Sequence, residues 1–351
     1  MLQVMTSIPL SSYELDLYHQ ADALEYAASK PLNREIENLD LSQYDRIILT
    51  GMGSSDSVSI PFEYTLVRQG LPVWRVQTSR LLDTPEMIVG RTLLWVTSQS
   101  GRSAEAIALL SQIPSREKVT VVAMTNDPES PLAQNADHLV LLDSGAEASV
   151  SCKSYLNSLA WFHRLSAHFT GGSDKVAVAD IMDTARSLRS LSAGTPLAAI
   201  ETLSKRALEG SAARFALIGT GADSATALAG ALILKEASKV SAEGFVGGEF
   251  RHGPIELAGH GMVVLLFGDG ANTDITITRL ALDLSHTGSI VVTITATSYD
   301  GAEHVAIPAR SDFDRMAHGM GVIQRLSVDL AKKAGIVPGE FRFGEKITCQ
   351  L

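Results

Sequence analysis

Short apolar runs recur along the chain, each rich in Val, Ile and Leu, without polar alternation, and each stopping at Gly, Ser or Asn. Such runs predict strands buried on both faces, as in a parallel sheet covered by helices. They also repeat in order. Arg46–Gly53 (RIILTGMG) has its counterpart in Arg214–Gly221 (RFALIGTG), at an offset of 168 (214 − 46). Leu93–Thr97, leading into Ser98-Gln99-Ser100-Gly101, is answered by Met262–Phe267, leading into Gly268-Asp269-Gly270, at 169 (270 − 101). Thr120–Thr125 pairs with Val291–Thr295, and Asp137–Val140 with Glu303–Ala306 at 166 (304 − 138). Four ordered matches at nearly one offset predict an internal duplication. Helical spacing at Ala104–Gln112 and Ser224–Val240 lies between the runs, so strand–helix–strand crossovers are expected in each half. The expected organisation is a helical segment over 1–30, a first α/β domain over 31–175, a connecting helix over 176–205, a second domain over 206–335 and a tail over 336–351.

With 351 residues, 45% hydrophobic and 19% charged, the composition is that of a globular protein large enough for two cores. No apolar stretch approaches the roughly 18 residues of a membrane span, and the N-terminus lacks the pattern of a signal peptide. Cys152 and Cys349 are too few for a disulfide framework. A cytoplasmic protein with no membrane partner is expected. The net charge of −10, with no basic arm, argues against nucleic acid as a partner. It leaves room for an anionic small molecule, because backbone N–H groups at a helix start bind phosphate whatever the global charge. His163 and His168, five apart, share a helix face poorly, so no metal is expected.

In open parallel sheets, ligands bind beyond the carboxyl ends of the strands. Three loops there have suitable composition: Gly51–Ser57, Ser98–Ser103 and Gly219–Ser224. Ser98-Gln99-Ser100-Gly101-Arg102-Ser103 is the best oxyanion cradle, with small residues, hydroxyl donors and an adjoining helix start. The same residues also suit a simple helix cap. Its counterpart in the second half carries Asp269, which would repel phosphate, so the halves are expected to differ in role. Gly51-x-Gly53 lacks the third glycine of a dinucleotide fingerprint, since Asp56 and Ser224 stand there, and Thr78-Ser79-Arg80 offers no acid for a ribose. A Gly-x-Ser-x-Gly nucleophile elbow is absent. The densest polar cluster runs from Lys235-Glu236 through Glu243 to Gly247–Pro254. Glu236 alone reads as a solvated helix residue, and His252 as a loop histidine. Beside a phosphate cleft, carboxylate and imidazole suit proton transfer at a sugar carbon and a ring oxygen.

The combination of Ser98–Ser103, Leu234-Lys235-Glu236 and Glu249-Phe250-Arg251-His252-Gly253-Pro254 resembles the tandem sugar isomerase (SIS) family over essentially the whole chain. That family includes the isomerase half of glucosamine-6-phosphate synthase, SIS-type amino-sugar-phosphate deaminases and fructosamine-6-phosphate deglycases. The resemblance implies two tandem flavodoxin-like domains, a phosphorylated sugar as ligand and no cofactor. It implies Ser98, Gln99, Ser100, Gly101 and Ser103 as the phosphate loop, with Gly53, Ser54 and Ser55 beside it. Glu236 matches the carboxylate that moves a proton between C1 and C2. His252 matches the ring-opening histidine that the neighbouring subunit supplies, which implies a homodimer. Arg102, Val150, Lys153 and Lys346 are further candidates.

The sequence departs from the synthase at several places. Ile233 replaces an assisting lysine, the Gly145–Tyr155 loop is one residue short, and the tail places Glu345 where the synthase has its lysine, with Lys346 one position off. No glutaminase domain is expected ahead of residue 30. An enzyme acting on a 6-phosphorylated amino or amine-conjugated sugar through an enediol or enolamine is expected. A deglycase, with Arg102 meeting a substrate carboxylate, and a non-catalytic phosphosugar sensor are the alternatives.

Overall fold

The structure is a computed structural model that describes residues 9–113, 115–191, 195–209, 213–269 and 275–348. The chain opens with α1 (Ser12–Ala28), started by a reciprocal capping box between Ser11 and Glu14, and α2 (Arg34–Glu37). The first sheet follows: β1 (Arg46–Gly51), α3 (Ser54–Ser57), α4 (Ile60–Arg68), β2 (Val73–Arg75), α5 (Thr78–Asp83), β3 (Thr92–Thr97), α6 (Ala104–Ser111), β4 (Val119–Thr125), α7 (Pro131–Gln134) and β5 (His138–Leu141). Next come α8 (Lys153–Phe169), α9 (Asp174–Ser190) and α10 (Thr195–Leu208). The second sheet is built from β6 (Arg214–Gly219), α11 (Ser224–Ile233), β7 (Ser241–Val246), β8 (Met262–Phe267), α12 (Ile275–Ser285), β9 (Ile290–Thr295) and β10 (Glu303–Ala306), and α13 (Asp312–Lys333) closes the fold.

All strand pairings are parallel, in the orders β2-β1-β3-β4-β5 and β10-β9-β8-β6-β7. Renumbered within its own half, the second order is the first read backwards, so the duplicated pattern produces two sheets of one topology. The central strands β3 and β8 are buried at every position, as their unbroken apolar runs require. The repeat extends to the turn after the first strand. An added Cβ at Gly51 would stand 2.6 Å from the Ser55 carbonyl oxygen, and one at Gly219 2.4 Å from that of Asp223. Both strands therefore end on a glycine because the following turn folds back against them.

One continuous core takes Leu49, Trp95 and Val122 from the first sheet and Leu217, Leu265 and Ile294 from the second, joined through α8, α11 and α13. Smaller clusters fill the outer faces. Within the shared core Phe62 stacks on Phe162 at 5.0 Å and meets Trp95 edge-on at 5.5 Å. The N-terminal helix α1 packs on α8 and α9.

Two sequence expectations need correction. The single helix expected over 176–205 is two, α9 and α10. Pro196, in the first turn of α10, cannot donate an N–H to a helix arriving from upstream. The strand β7 was read only as part of a polar cluster. It is an edge strand whose burial is broken by Ser241 and Glu243, so it lacks the unbroken apolar signature of its neighbours. No helix among the described residues is long and apolar enough to cross a membrane.

Candidate active site

Strand order reverses between β1 and β3, and a cavity of about 250 Å³ lies beyond their carboxyl ends. Gly53, Ser54 and Ser55 line it from the turn after β1, and Ser98, Gln99, Ser100 and Ser103 from the turn after β3. The latter turn is held by its backbone. The Ser98 N–H donates to the Met124 carbonyl at 3.0 Å, and the Gln99 carbonyl accepts from the Asn126 N–H at 2.9 Å and the Thr125 hydroxyl at 3.2 Å. Gly101 adopts φ +61°, and any Cβ there would lie 2.1 Å from the Ser130 hydroxyl oxygen. Gly101 thus shapes the turn and does not itself line the cavity. Ser103 lines it and also caps α6, accepting from the Ala106 N–H at 3.4 Å. The helix cap and the cavity wall are one structure.

The opposite wall comes from the second half. Beyond Ile233, α11 widens into a π-turn over Leu234–Ser238, ended by Lys239 in the left-handed region at φ +61°. Such turns re-aim side chains and recur at functional sites. Leu232 and Glu236 line the cavity from this segment. Burial raises the Glu236 pKa above the ordinary carboxylate value, against the pull of Lys346, Lys239 and Lys235. The site therefore holds a carboxylate whose proton affinity is shifted toward neutrality.

The C-terminal tail forms a third wall, with Phe341, Glu345, Lys346, Ile347 and Thr348. Its end is pinned where the Thr348 carbonyl accepts the Ala104 N–H at 3.0 Å, at the start of α6. Lys346 donates to Glu147 Oε2 at 2.7 Å and to the Ser149 carbonyl at 2.5 Å. Burial works against the charge on Glu147, yet Lys346 and the N–H and O–H donors of Cys152 and Ser154 hold its pKa below the usual value. Glu147 went unnoticed in the sequence. Its one signal was a carboxylate in the Gly145–Tyr155 loop, with a partner 199 residues away.

Of the remaining candidates, Val150 lines the cavity. Arg102 does not. It turns outward to Asp127, with Nε at 3.1 Å and a terminal nitrogen at 2.7 Å from the same oxygen. Lys153 also points elsewhere, to Asp16 at 2.7 Å and the Ala146 carbonyl. His252 is exposed after the tight turn Gly247–Arg251 and lies outside the cavity of its own chain. Thr78, Glu105, Ser149 and Ser151, which the sequence did not single out as site candidates, also line it. In the second half, the position matching Ser55 is Asp223, which ion-pairs with Arg315 at 2.8 Å. Where the first half has a serine lining the cavity, the second has an internal ion pair.

A model of the SIS domain matches residues 40–166 and 210–303. The chain is 29% identical over 280 residues to the isomerizing glutamine–fructose-6-phosphate aminotransferase of Clostridium acetobutylicum, over 77% of this chain and 44% of that protein. It thus spans less than half the length of that relative. The C-terminal domain of glucosamine-fructose-6-phosphate aminotransferase from Francisella tularensis superposes with a TM-score of 0.79 at 19% identity, covering 93% of this chain and 98% of that one. Glucosamine-6-phosphate deaminase from Thermotoga maritima does so with 0.76 at 18%, covering 96% and 99%. At these identities the solved structures speak to the fold, while the family model accounts for more than half of the sequence in two segments, one in each half: the chain belongs to the SIS-domain family.

Proposed function

We propose that this protein is an aldose–ketose type phosphosugar isomerase or deaminase acting on a 6-phosphorylated amino or amine-conjugated sugar. The observation that carries the reading is that Glu236 and the serine-rich turn of residues 98–103 line one cavity from opposite halves of the duplicated fold. The serine hydroxyls and backbone N–H groups hold the phosphate and so fix the open-chain sugar. Glu236 takes the proton from the carbon next to the carbonyl or imine, and the electron pair moves into an enediol or enolamine. The same carboxyl returns the proton to the neighbouring carbon, while a second proton passes from the oxygen or nitrogen on the carbon that lost its hydrogen to the former carbonyl oxygen, so atoms and charge balance over the cycle. With an amine at C2, proton return at C1 leaves a C2 imine, and water releases ammonia and the ketose phosphate.

His252 lies outside its own cavity. It serves in this reading as the ring-opening acid–base group of a second copy's site, within a homodimer. The deglycase alternative leaned on Arg102 meeting a substrate carboxylate, and Arg102 is engaged by Asp127. The test is Glu236→Gln, assayed with glucosamine 6-phosphate and fructose 6-phosphate for ammonia release and for exchange of the C1/C2 protons with deuterated water. A loss of roughly 10²–10⁴ in turnover with phosphosugar binding retained is expected. Unchanged turnover removes the mechanism, and binding without turnover in the parent protein favours the sensor.

A further inference from the structure

We infer that a second binding site, for a small organic anion that also donates a hydrogen bond, lies between α1, α9 and α13. It shares no lining residue with the cavity beneath Ser98–Ser103. The inference is independent of the reaction proposed above.

Two buried amides mark the place. Gln324 on α13 is 1% exposed and Gln20 on α1 is 8% exposed. Gln324 Nε2, Gln324 Oε1 and Gln20 Oε1 all lack a hydrogen-bond partner. Burying polar atoms unpaired is costly, and folded proteins pair nearly all of them. Both side chains line an inner cavity of about 30 Å³, walled otherwise by Leu17, Leu188 and Leu191. Gly321 of α13 keeps that space open, since a Cβ there would stand 3.3 Å from the Leu188 side chain. An outer cavity of about 290 Å³ adjoins it, sharing Leu17, Gln20, Leu188 and Arg325.

The charged groups on the outer cavity are Asp22, Arg189 and Arg325. Arg189 is taken up by Asp22 and by Glu25, the latter at 2.8 Å. Arg325 is half-buried and makes no ion pair or side-chain hydrogen bond among the described residues. A guanidinium so placed meets a carboxylate or a phosphate without breaking an existing contact. From there the inner cavity leads to the amides, where Gln20 Oε1 and Gln324 Oε1 accept and Gln324 Nε2 donates. The ligand class follows from this order of groups. Its acidic head lies on Arg325, its carbon chain against the leucines, and its hydroxyl or ammonium at the amides. The volumes limit it to a compact molecule.

The experiment is a calorimetric titration of the full-length protein with glycerate, glycerol 3-phosphate and propionate, the last being an acid without hydroxyls. It is run on the parent, Arg325→Met and Gln324→Met. The parent should bind glycerate or glycerol 3-phosphate, and the tighter of the two identifies the head group as carboxylate or phosphate. Propionate should bind roughly tenfold or more weakly. Arg325→Met should weaken the preferred ligand by roughly 10- to 100-fold, the size of one charge-assisted hydrogen bond. Gln324→Met should abolish the advantage over propionate while raising the melting temperature, because a buried unpaired amide is gone. That rise separates loss of the site from loss of the fold. No binding of either hydroxylated anion by the parent overturns the inference, and so does affinity unchanged in Arg325→Met, which would place the ligand elsewhere, under the serine turn included. Propionate bound as tightly as glycerate, or a lower melting temperature in Gln324→Met, shows the amides already satisfied and overturns it as well.

Discussion

Lys346 Nζ lies 2.7 Å from Glu147 Oε2, joining the C-terminal tail to the loop that leads into α8 across most of the chain's length. Glu147 is buried and accepts in addition from the Cys152 N–H, the Ser154 N–H and the Ser154 hydroxyl. A buried carboxylate with that many donors is stabilised only while its counter-ion stays, and the counter-ion is what docks the tail.

Glu147→Gln should therefore loosen the tail. The amide keeps the shape but loses the charge and turns a donor toward one of the existing donors. About 1–3 kcal/mol of local stability should be lost. Faster amide hydrogen exchange over residues 339–348, with β1 and β3 unaffected, is the expected readout. Lys346→Met should act more strongly, because it strands the carboxylate in a buried place. Protection of the tail in both variants equal to that of the parent would show that the ion pair does not hold it.

The raised pKa of Glu236 gives a pH signature. A proton acceptor works when ionised, so activity must fall as pH drops through its pKa. With that pKa above 4.5, the acid limb of kcat/KM should lie above the ordinary carboxylate range. Lys346 is the leading charge that lowers it, so Lys346→Met should move the limb to higher pH. A limb at the usual carboxylate position, unmoved by that variant, contradicts the assignment.

How much of this was written in the sequence depends on range. The buried strands were legible because burial on both faces leaves an unbroken apolar run, as in Thr92–Thr97 and Met262–Phe267. The cavity-lining turn Ser98–Ser103 was legible because it is local. What escaped depends on partners far along the chain. Arg102 read as a ligand group until Asp127, beyond β4, appeared beside it. Glu147 was silent without Lys346. Lys346 itself, one position out of register with the family pattern, still lines the cavity. The edge strand β7 was hidden because one-sided burial tolerates Glu243 and Gly244.

The dimer reading predicts complementation. Glu236→Gln and His252→Ala should each be inactive alone. After the subunits are mixed and allowed to exchange, half of the dimers carry one damaged site and one intact site. About a quarter of the parent rate should then return if each site takes its histidine from the other chain, as a two-fold arrangement allows. No recovery on mixing, with exchange verified by mass, would place His252 outside the reaction or within its own chain's site.

Gly101 and Arg102 are neighbours with opposite expectations. A methyl at Gly101 would collide with the hydroxyl and Cβ of Ser130, at 2.1 and 2.5 Å, and the residue already sits at φ +61°. Ser130 cannot yield freely, because its hydroxyl donates to the Asp127 carbonyl at 2.7 Å and caps α7 through the Ala133 N–H. The left-handed conformation costs a non-glycine residue about 1–2 kcal/mol, and the forced repacking about 1–3 more. Gly101→Ala should thus distort the turn that presents Ser98, Gln99 and Ser100. KM for a phosphorylated sugar should rise by roughly tenfold or more, with a lower melting temperature. Arg102→Ala removes only an exposed ion pair worth about 0–1 kcal/mol and should leave KM within about twofold. If Arg102→Ala proves the more damaging, the phosphate is held by its guanidinium and the neutral cradle is the wrong description of the site.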